Sequence, residues 1–346
     1  MKRVAIICGG RSSEHEISCI SAGGVIAAID RSQYQPVLIG ITKSGRWVHL
    51  DENFPLRIVD GILPVVPENS QAIVADVSGF SLNGSPLAID IVFPLLHGPY
   101  GEDGTIQGML EMADIKYVGS GVLASAVAMD KSFAKPIFAS HGIKVSEGFT
   151  ITAQEWRESP ALITKQASSL SYPVFVKPAR GGSSRGTSKV KSEAALTEAI
   201  NEALTFDSKV MIENAVVGAE IECAVLEIDG KPQASVVGKI SIDPKFEFYD
   251  FQAKYLDGAT TIELPAPIPA DVAKEIQEQA VAAFKALDCR GLARVDFFLT
   301  ANNEIILNEL NTMPGFTATS VFPKMWQSSG ISYSEVINHL LISATI

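Results

Sequence analysis

Apolar and polar positions along the first third of the chain fall into short blocks of two kinds. "RVAIICGG", "QPVLIGIT" and "LAIDIVFPLLHG" are brief apolar runs closed by glycine or polar turns, the pattern of buried strands. "ISAGGVIAAID" and "TIQGMLEMA" instead carry apolar residues at helical spacing. Apolar strands separated by amphipathic helices predict a mostly parallel sheet with helical cover. Residues 45–85 interrupt the rhythm with Gly and Pro turns, which predicts a hairpin-like insertion at this domain's edge. After "YVGS" a helix is expected around "VLASAVAMDKSFAKPIFASHG", followed by short strands in "VSEGFTIT", "PVFVKPA" and "VMIENAVV". From about Val217 the pattern changes again. Strands "EIECAVLEI" and "PQASVVGKI" precede a long helix, "ADVAKEIQEQAVAAFKAL", and the neighbouring strands "GLARVDFFLT" and "EIILNELNT". The chain thus reads as α/β or α+β in three parts, 1–120, 121–214 and 215–346, with no internal repeat.

Composition narrows this picture. A hydrophobic fraction of 47% and a charged fraction of 19% over 346 residues belong to a folded chain large enough for more than one core. The apolar run in "MKRVAIICGG" is too short for a signal peptide, and nothing approaches the ~18 apolar residues of a membrane helix. A cytoplasmic protein without membrane contact is expected. Cys8, Cys19, Cys223 and Cys289 lie far apart, which suits reduced core thiols better than a disulfide framework or a zinc site. The net charge of −11 argues against a nucleic-acid partner, so an anionic ligand would be met by local lysines and arginines.

Several stretches place such residues beside candidate chemistry. Side chains two apart on a strand share a face, so Arg294 with Asp296, and Glu309 with Asn311, can meet across the short "TANNE" turn. Asp, Glu and Asn offer hard oxygens suited to Mg²⁺; a solvated polar face is the alternative. "PVFVKPARGGSSRGTSKV" joins Lys177 to a Gly/Ser loop whose backbone N–H groups could approach phosphate, although it lacks the P-loop spacing and could equally be a plain hairpin. "CGGRSSEHEIS" joins a strand to a helix start, where Glu14 suits an ammonium group, while Ser13 and Glu16 read as a capping box. "LLHGPYGEDGT" has the same shape, with His97 as either a ligand contact or a structural hydrogen-bonder. "EFYDFQAKYLDG" fits neither helix nor strand and reads as a functional loop.

Taken in order, "GGRSSEHEIS", "LLHGPYGEDGTIQG", "MDK" at 129–131, "VKPARGGSSRGTSKV", "FYDFQAKY" and "RVDFFL" with "LNELNTMPGFTATS" closely resemble the D-alanine–D-alanine ligases of the ATP-grasp superfamily. The likeness spans nearly the whole chain, and the 45–85 insertion resembles the longer-chain branch. It implies a three-domain ATP-grasp ligase: an N-terminal parallel α/β substrate-binding domain (1–120), then two α+β domains (121–214 and 215–346) that clasp ATP. It further implies an acyl phosphate of one D-alanine, attacked by the amine of a second, in peptidoglycan precursor synthesis.

The resemblance also implies roles for single residues. Asp296, Glu309 and Asn311 match ligands of two Mg²⁺ ions, with Mn²⁺ as a substitute and a monovalent cation such as K⁺ as a further candidate. Lys131, Lys177 and Lys254 match phosphate-binding lysines, and Ser184 belongs to the loop over the nucleotide. Glu213 matches the adenine hinge with the backbone of Asn214 and Val216, and Glu220 the ribose-binding acid. Arg294 and the Gly315 N–H match an oxyanion hole. Glu14 would hold the first D-alanine's ammonium, Ser320 the second substrate's carboxylate, and His97 would line the substrate site. Ser183 would link Glu14 to Tyr255 in a lid at about 241–262. The family resemblance also implies a homodimer through the N-terminal domain. Departures are Arg185 for a commoner aliphatic residue, Phe251 for Tyr, and Lys239 where Glu stands in many relatives. A D-lactate-using relative would lack the lid tyrosine, so Tyr255 argues for D-alanine. The intact Arg294, Asp296, Glu309 and Asn311 argue against a noncatalytic nucleotide-binding protein.

Overall fold

The computed structural model describes residues 1–182, 184–242 and 260–344. Its first sheet has five strands in the order Trp47–His49, Tyr34–Ile41, Lys2–Gly9, Ile91–Pro94, Lys116–Tyr117. Lys2–Gly9 pairs in parallel with both neighbours, and only the Trp47–His49 edge strand is antiparallel. The central strand does not alternate, because Val4, Ala5, Ile6 and Ile7 are all fully buried between two covered faces. One face packs on helix His15–Ala28 and the C-terminal helices Val321–Ser328 and Tyr333–Ser343. The other packs on helix Thr105–Met112 and the insertion.

The sequence order of the strands reverses direction between Lys2–Gly9 and Ile91–Pro94. Loops leaving the carboxyl ends of two such strands form a crevice, the usual ligand position in an open α/β sheet. Those loops hold Glu14 and His97. Gly9 makes the exit possible: its φ is +89°, and a Cβ there would lie 2.3 Å from the Ile41 carbonyl oxygen. The insertion is more integrated than a hairpin on the edge. Its first strand, Trp47–His49, extends the main sheet, and only Ile73–Asp76, Gly79–Leu82 and Ser85–Pro86 form a separate antiparallel sheet.

The single helix expected after "YVGS" is two, Val122–Met129 and Lys131–Ser140. Asp130 breaks it with extended dihedrals (φ −96°, ψ 95°) and caps the second helix, its carboxylate accepting from the Ser132 N–H at 3.1 Å. The break turns Lys131 and Lys135, one helical turn apart, into the interior.

A second, antiparallel sheet has the order Ser188–Val190, Val174–Pro178, Lys209–Asn214, Gly148–Thr152. Along Val174–Pro178, Val174 and Val176 face a core with Leu196 and Ile200, so period-two alternation sends Phe175 and Lys177 to the opposite face. The third sheet runs Thr260–Glu263, Lys231–Ile242, Ala219–Ile228, Leu292–Leu299, Ile305–Asn311, all antiparallel. Helix Ala270–Ala286 covers it through Ile276, Ala280 and Phe284. Among the described residues no helix is long and apolar enough to cross a membrane.

Candidate active site

The opposed faces of the second and third sheets enclose a cleft whose lining includes Lys131, Lys177, Glu213, Glu220, Asp296 and Glu309. Its acidic wall follows from strand register. Leu292–Leu299 and Ile305–Asn311 place Asp296 opposite Glu309 and Arg294 opposite Asn311, with a bulge just after Asp296. On the other side, Asp296 is opposite Glu222. Arg294 donates through Nε and Nη2 to the two Asp296 carboxylate oxygens at 2.7 and 2.6 Å, a bidentate pair. Asn311 Nδ2 donates to the same carboxylate at 3.0 Å, and Glu222 Oε2 lies 3.2 Å from Arg294 Nε. Two of the metal candidates, Asp296 and Asn311, therefore share one network with Arg294, the oxyanion candidate, and Glu309 is set beside it by register.

Lysines meet this wall from the other side. Lys131 Nζ lies 3.0 Å from Glu309 Oε2 and donates to the Gly181 carbonyl at 2.8 Å, tying the acidic wall to the Gly/Ser loop. Burial works against its ammonium, but Glu309 and further glutamates outweigh burial and raise its pKa. Deeper, Glu213 receives Lys177 Nζ at 2.5 Å on one oxygen, and Lys135 together with Ser146 Oγ (2.8 Å) on the other. Burial alone would push the Glu213 pKa up, yet the two lysines hold it down to about 2.

The residues expected to bind substrate lie where the first sheet's loops meet this cleft. Glu14 is the N-cap of His15–Ala28 without a side-chain capping bond, and the expected Ser13–Glu16 capping box does not form. The helix begins one residue too late for that box, and Glu16 instead pairs with Lys43 at 2.5 Å. The Glu14 carboxylate faces two loops at once, since a Cβ on Gly98 would lie 3.2 Å and one on Gly182 3.8 Å from its Oε2. His97 is buried, with Nδ1 donating to the Met313 carbonyl at 3.0 Å and Nε2 accepting from Ser21 Oγ at 3.3 Å. Burial lowers its pKa, consistent with a neutral ring. Ser320 Oγ accepts from the Thr317 N–H at 3.1 Å and sits 3.2 Å from where a Gly315 Cβ would be.

Ser183, Lys254, Tyr255 and Phe251 lie outside the described residues, as does most of 241–262. Ser184 has a positive φ of 54° in the Gly/Ser loop. Asn214 accepts from the Ser171 N–H at 3.0 Å, and Val216 and Glu220 line the cleft. The departures have local partners: Lys239 pairs with Glu263 at 3.1 Å, and Arg185 stacks over Phe206.

Three residues escaped the sequence reading: Glu102, Lys135 and Glu222. Glu102 accepts from the Gly98 N–H at 2.7 Å and the Met313 N–H at 3.1 Å. Met313 is thus held at its N–H by Glu102 and at its carbonyl by His97, two residues before Gly315. Burial pushes the Glu102 pKa up to about 8. A folded pKa above the ordinary 4.5 means its stabilising contribution is present at pH 4.5 and below and is lost as pH rises toward 8. Relative to Glu102→Gln, the wild type is expected to lose thermal stability between pH 5 and pH 8. Melting both proteins at the two pH values checks this, and a constant difference contradicts it.

The three main sheets, with a cleft between the second and third that sets lysines against carboxylates, form the arrangement expected of an ATP-grasp ligase. Known proteins narrow the class. The D-ala D-ala ligase N-terminus model matches residues 3–120 and the D-ala D-ala ligase C-terminus model residues 137–342. A D-alanine–D-alanine ligase of Pseudarthrobacter chlorophenolicus is 48% identical, over 98% of this chain and 93% of its own. One from Streptomyces coelicolor is 46% identical over 99% and 92%. Among solved structures, the VanG D-Ala:D-Ser ligase of Enterococcus faecalis superimposes with a TM-score of 0.87 at 37% identity, covering 99% of both chains. The D-alanine–D-alanine ligase of Coxiella burnetii gives 0.84 at 33% identity, covering 99% and 93%. The chain belongs to the D-alanine–D-alanine ligase family.

Proposed function

We propose that this enzyme joins two D-alanines into D-alanyl-D-alanine, cleaving ATP to ADP and phosphate, to supply peptidoglycan precursors in the cytoplasm. The observation that carries this reading is the network of Arg294, Asp296 and Asn311 at the cleft wall with Glu309 in register beside it, which Lys131 ties to the Gly/Ser loop. In it, the division at 1–120, 121–214 and 215–346 assigns the first D-alanine to the N-terminal part and ATP to the other two.

Glu14 holds the ammonium of the first D-alanine, whose carboxylate attacks the terminal phosphate to give an acyl phosphate and ADP. The amine of the second D-alanine then attacks the acyl carbon and expels phosphate. Arg294 and the Gly315 N–H stabilise the tetrahedral oxyanion, each such donor typically worth ~3 kcal/mol. Glu102 and His97, by clamping Met313 on both sides, set the position of that turn. Ser320 receives the second carboxylate. Lys131, Lys177 and Lys254 bind phosphate with Ser184, while Glu213, Asn214 and Val216 hold adenine and Glu220 the ribose. Ser183 and Tyr255 would link the lid to Glu14.

The family works with ATP and a divalent metal, and the residues present suit a hard cation. Asp296, Glu309 and Asn311 are oxygen donors in register, and they leave positions for waters and phosphate oxygens. Among the described residues no three His, Cys, Asp or Glu side chains group closely enough to hold a metal alone. These residues would hold two Mg²⁺ ions, with Mn²⁺ as substitute, and K⁺ is a candidate activator. When bound, the ions neutralise phosphate charge.

Coupled ADP release over D-alanine, D-serine and D-lactate tests the substrate assignment. D-alanine alone is expected to sustain turnover, and a preference for mixed D-serine or D-lactate products overturns it.

A homodimer through the N-terminal domain is supported by an exposed apolar stretch: Ile58, Val59, Ile62, Leu63 and Val65 are 56, 44, 72, 42 and 42% accessible. Ile62→Asp with Leu63→Asp is expected to shift the mass measured by light scattering from dimer to monomer; an unchanged mass removes this surface from the account.

A further inference from the structure

Two lysines converge on Glu213, and they differ in what else they can reach. Lys177 lines the cleft and also donates to Asn308 Oδ1 at 3.4 Å. Lys135 is 4% accessible, forms no part of the cleft lining, and is anchored by donation to Ser146 Oγ at 2.7 Å and by its pairing with Glu213. Ser146 Oγ donates in turn to the same Glu213 oxygen at 2.8 Å. One edge of the Glu213 carboxylate is therefore locked from behind, and the other faces Lys177 and the cleft.

A buried carboxylate needs a counter-charge, and stranding one is strongly destabilising. If Lys177 were its only partner, a polyanion entering the cleft would compete with Glu213 for that lysine. Lys135 is out of the ligand's reach, so its pairing survives binding. A carboxylate held ionised is an acceptor only. It can take a hydrogen bond from an exocyclic amino group, as on adenine, and opposes the carbonyl oxygen that guanine and hypoxanthine carry there.

We propose that Lys135 is a positioning residue for nucleotide selection: it fixes Glu213 as a permanent acceptor, so that the site prefers adenine and Lys177 is free to meet phosphate. This rests on the reading of Glu213 as a nucleobase contact. Burial presses the Lys135 pKa down to about 8 with Glu213 opposing the shift, the mark of an ammonium kept deep in the protein by its partner.

Binding of ATP and GTP to the full-length protein, measured by calorimetry for wild type, Lys135→Met, Glu213→Gln and the double variant, tests it. Lys135→Met is expected to lower the ATP/GTP affinity ratio about tenfold, the loss of roughly one charge-assisted hydrogen bond. It should also raise the KM for ATP more than it lowers kcat. In the Glu213→Gln background, Lys135→Met should change the ratio no further. If Glu213→Gln leaves the ratio at the wild-type value, the nucleobase reading of Glu213 fails and takes this proposal with it. If Glu213→Gln lowers the ratio but Lys135→Met does not, the proposal alone is overturned. Should Lys135→Met not fold, the double variant, in which neither charge remains, is compared with Glu213→Gln. Equal ratios support the proposal, and a further drop shows that Lys135 acts by another route.

Discussion

Asp296→Ala is expected to abolish D-alanine-dependent ADP release, lowering kcat by about a thousandfold or more, because one side chain serves two parts of the reaction. Its carboxylate is a ligand candidate for the metal and also holds Arg294 by two hydrogen bonds and Asn311 by one. Removing it takes away a metal oxygen and frees the guanidinium meant to meet the oxyanion. The side chain is 15% accessible at the cleft wall, so the protein should still fold. Asp296→Asn keeps the size but not the charge and should lose most of the activity too. Steady-state ADP release with a melting curve separates chemistry from unfolding; turnover within tenfold of wild type contradicts the assignment.

The second large effect is at Arg294. Arg294→Met is expected to lower kcat by about 10²–10³, the range for removing an oxyanion donor, with a smaller change in the KM for ATP. Arg294→Lys should not restore activity, since an ammonium cannot reproduce the two-point contact with Asp296 while also staying beside Glu222. Losing the guanidinium also leaves Glu222, 3% accessible, beside Asp296 without that positive charge, so a fall in melting temperature is expected as well. Assays well below the melting point distinguish the two effects. A variant that melts early yet turns over normally would make Arg294 structural only.

The parts of this site that could be read from the sequence depend on local geometry. Alternation along "RVDFFL" and "IILNELNT" pairs Arg294 with Asp296 and Glu309 with Asn311 on adjacent strands, but it is the bulge after Asp296, which alternation does not foretell, that sets the two pairs opposite one another. The switch from strand–helix alternation to short antiparallel strands likewise marks the change from the first sheet to the second and third. What escaped depends on distant partners. Lys135 is buried because Glu213 lies 78 residues on, and Glu102 because it meets Met313, 211 residues away. A lysine one turn after Lys131, between Ala134 and Phe138 on a buried helix face, was the one local sign of the first. Glu222 shares a strand face with Glu220, but only the pairing with Arg294 shows why an acid is tolerated there. The helix break at Asp130 was hidden for a related reason: Asp is a poor interior helix residue but a good cap, and the unbroken helix-forming run "VLASAVAM" before it masked the choice.

In the proposed reaction ATP activates the carboxylate of the first D-alanine. Turnover of D-alanine labelled with ¹⁸O in both carboxylate oxygens tests it directly, with the released phosphate analysed by mass spectrometry. Each phosphate is expected to carry one labelled oxygen from the substrate, because the acyl phosphate breaks at its acyl carbon. Phosphate released without label, alongside normal dipeptide formation, would contradict it.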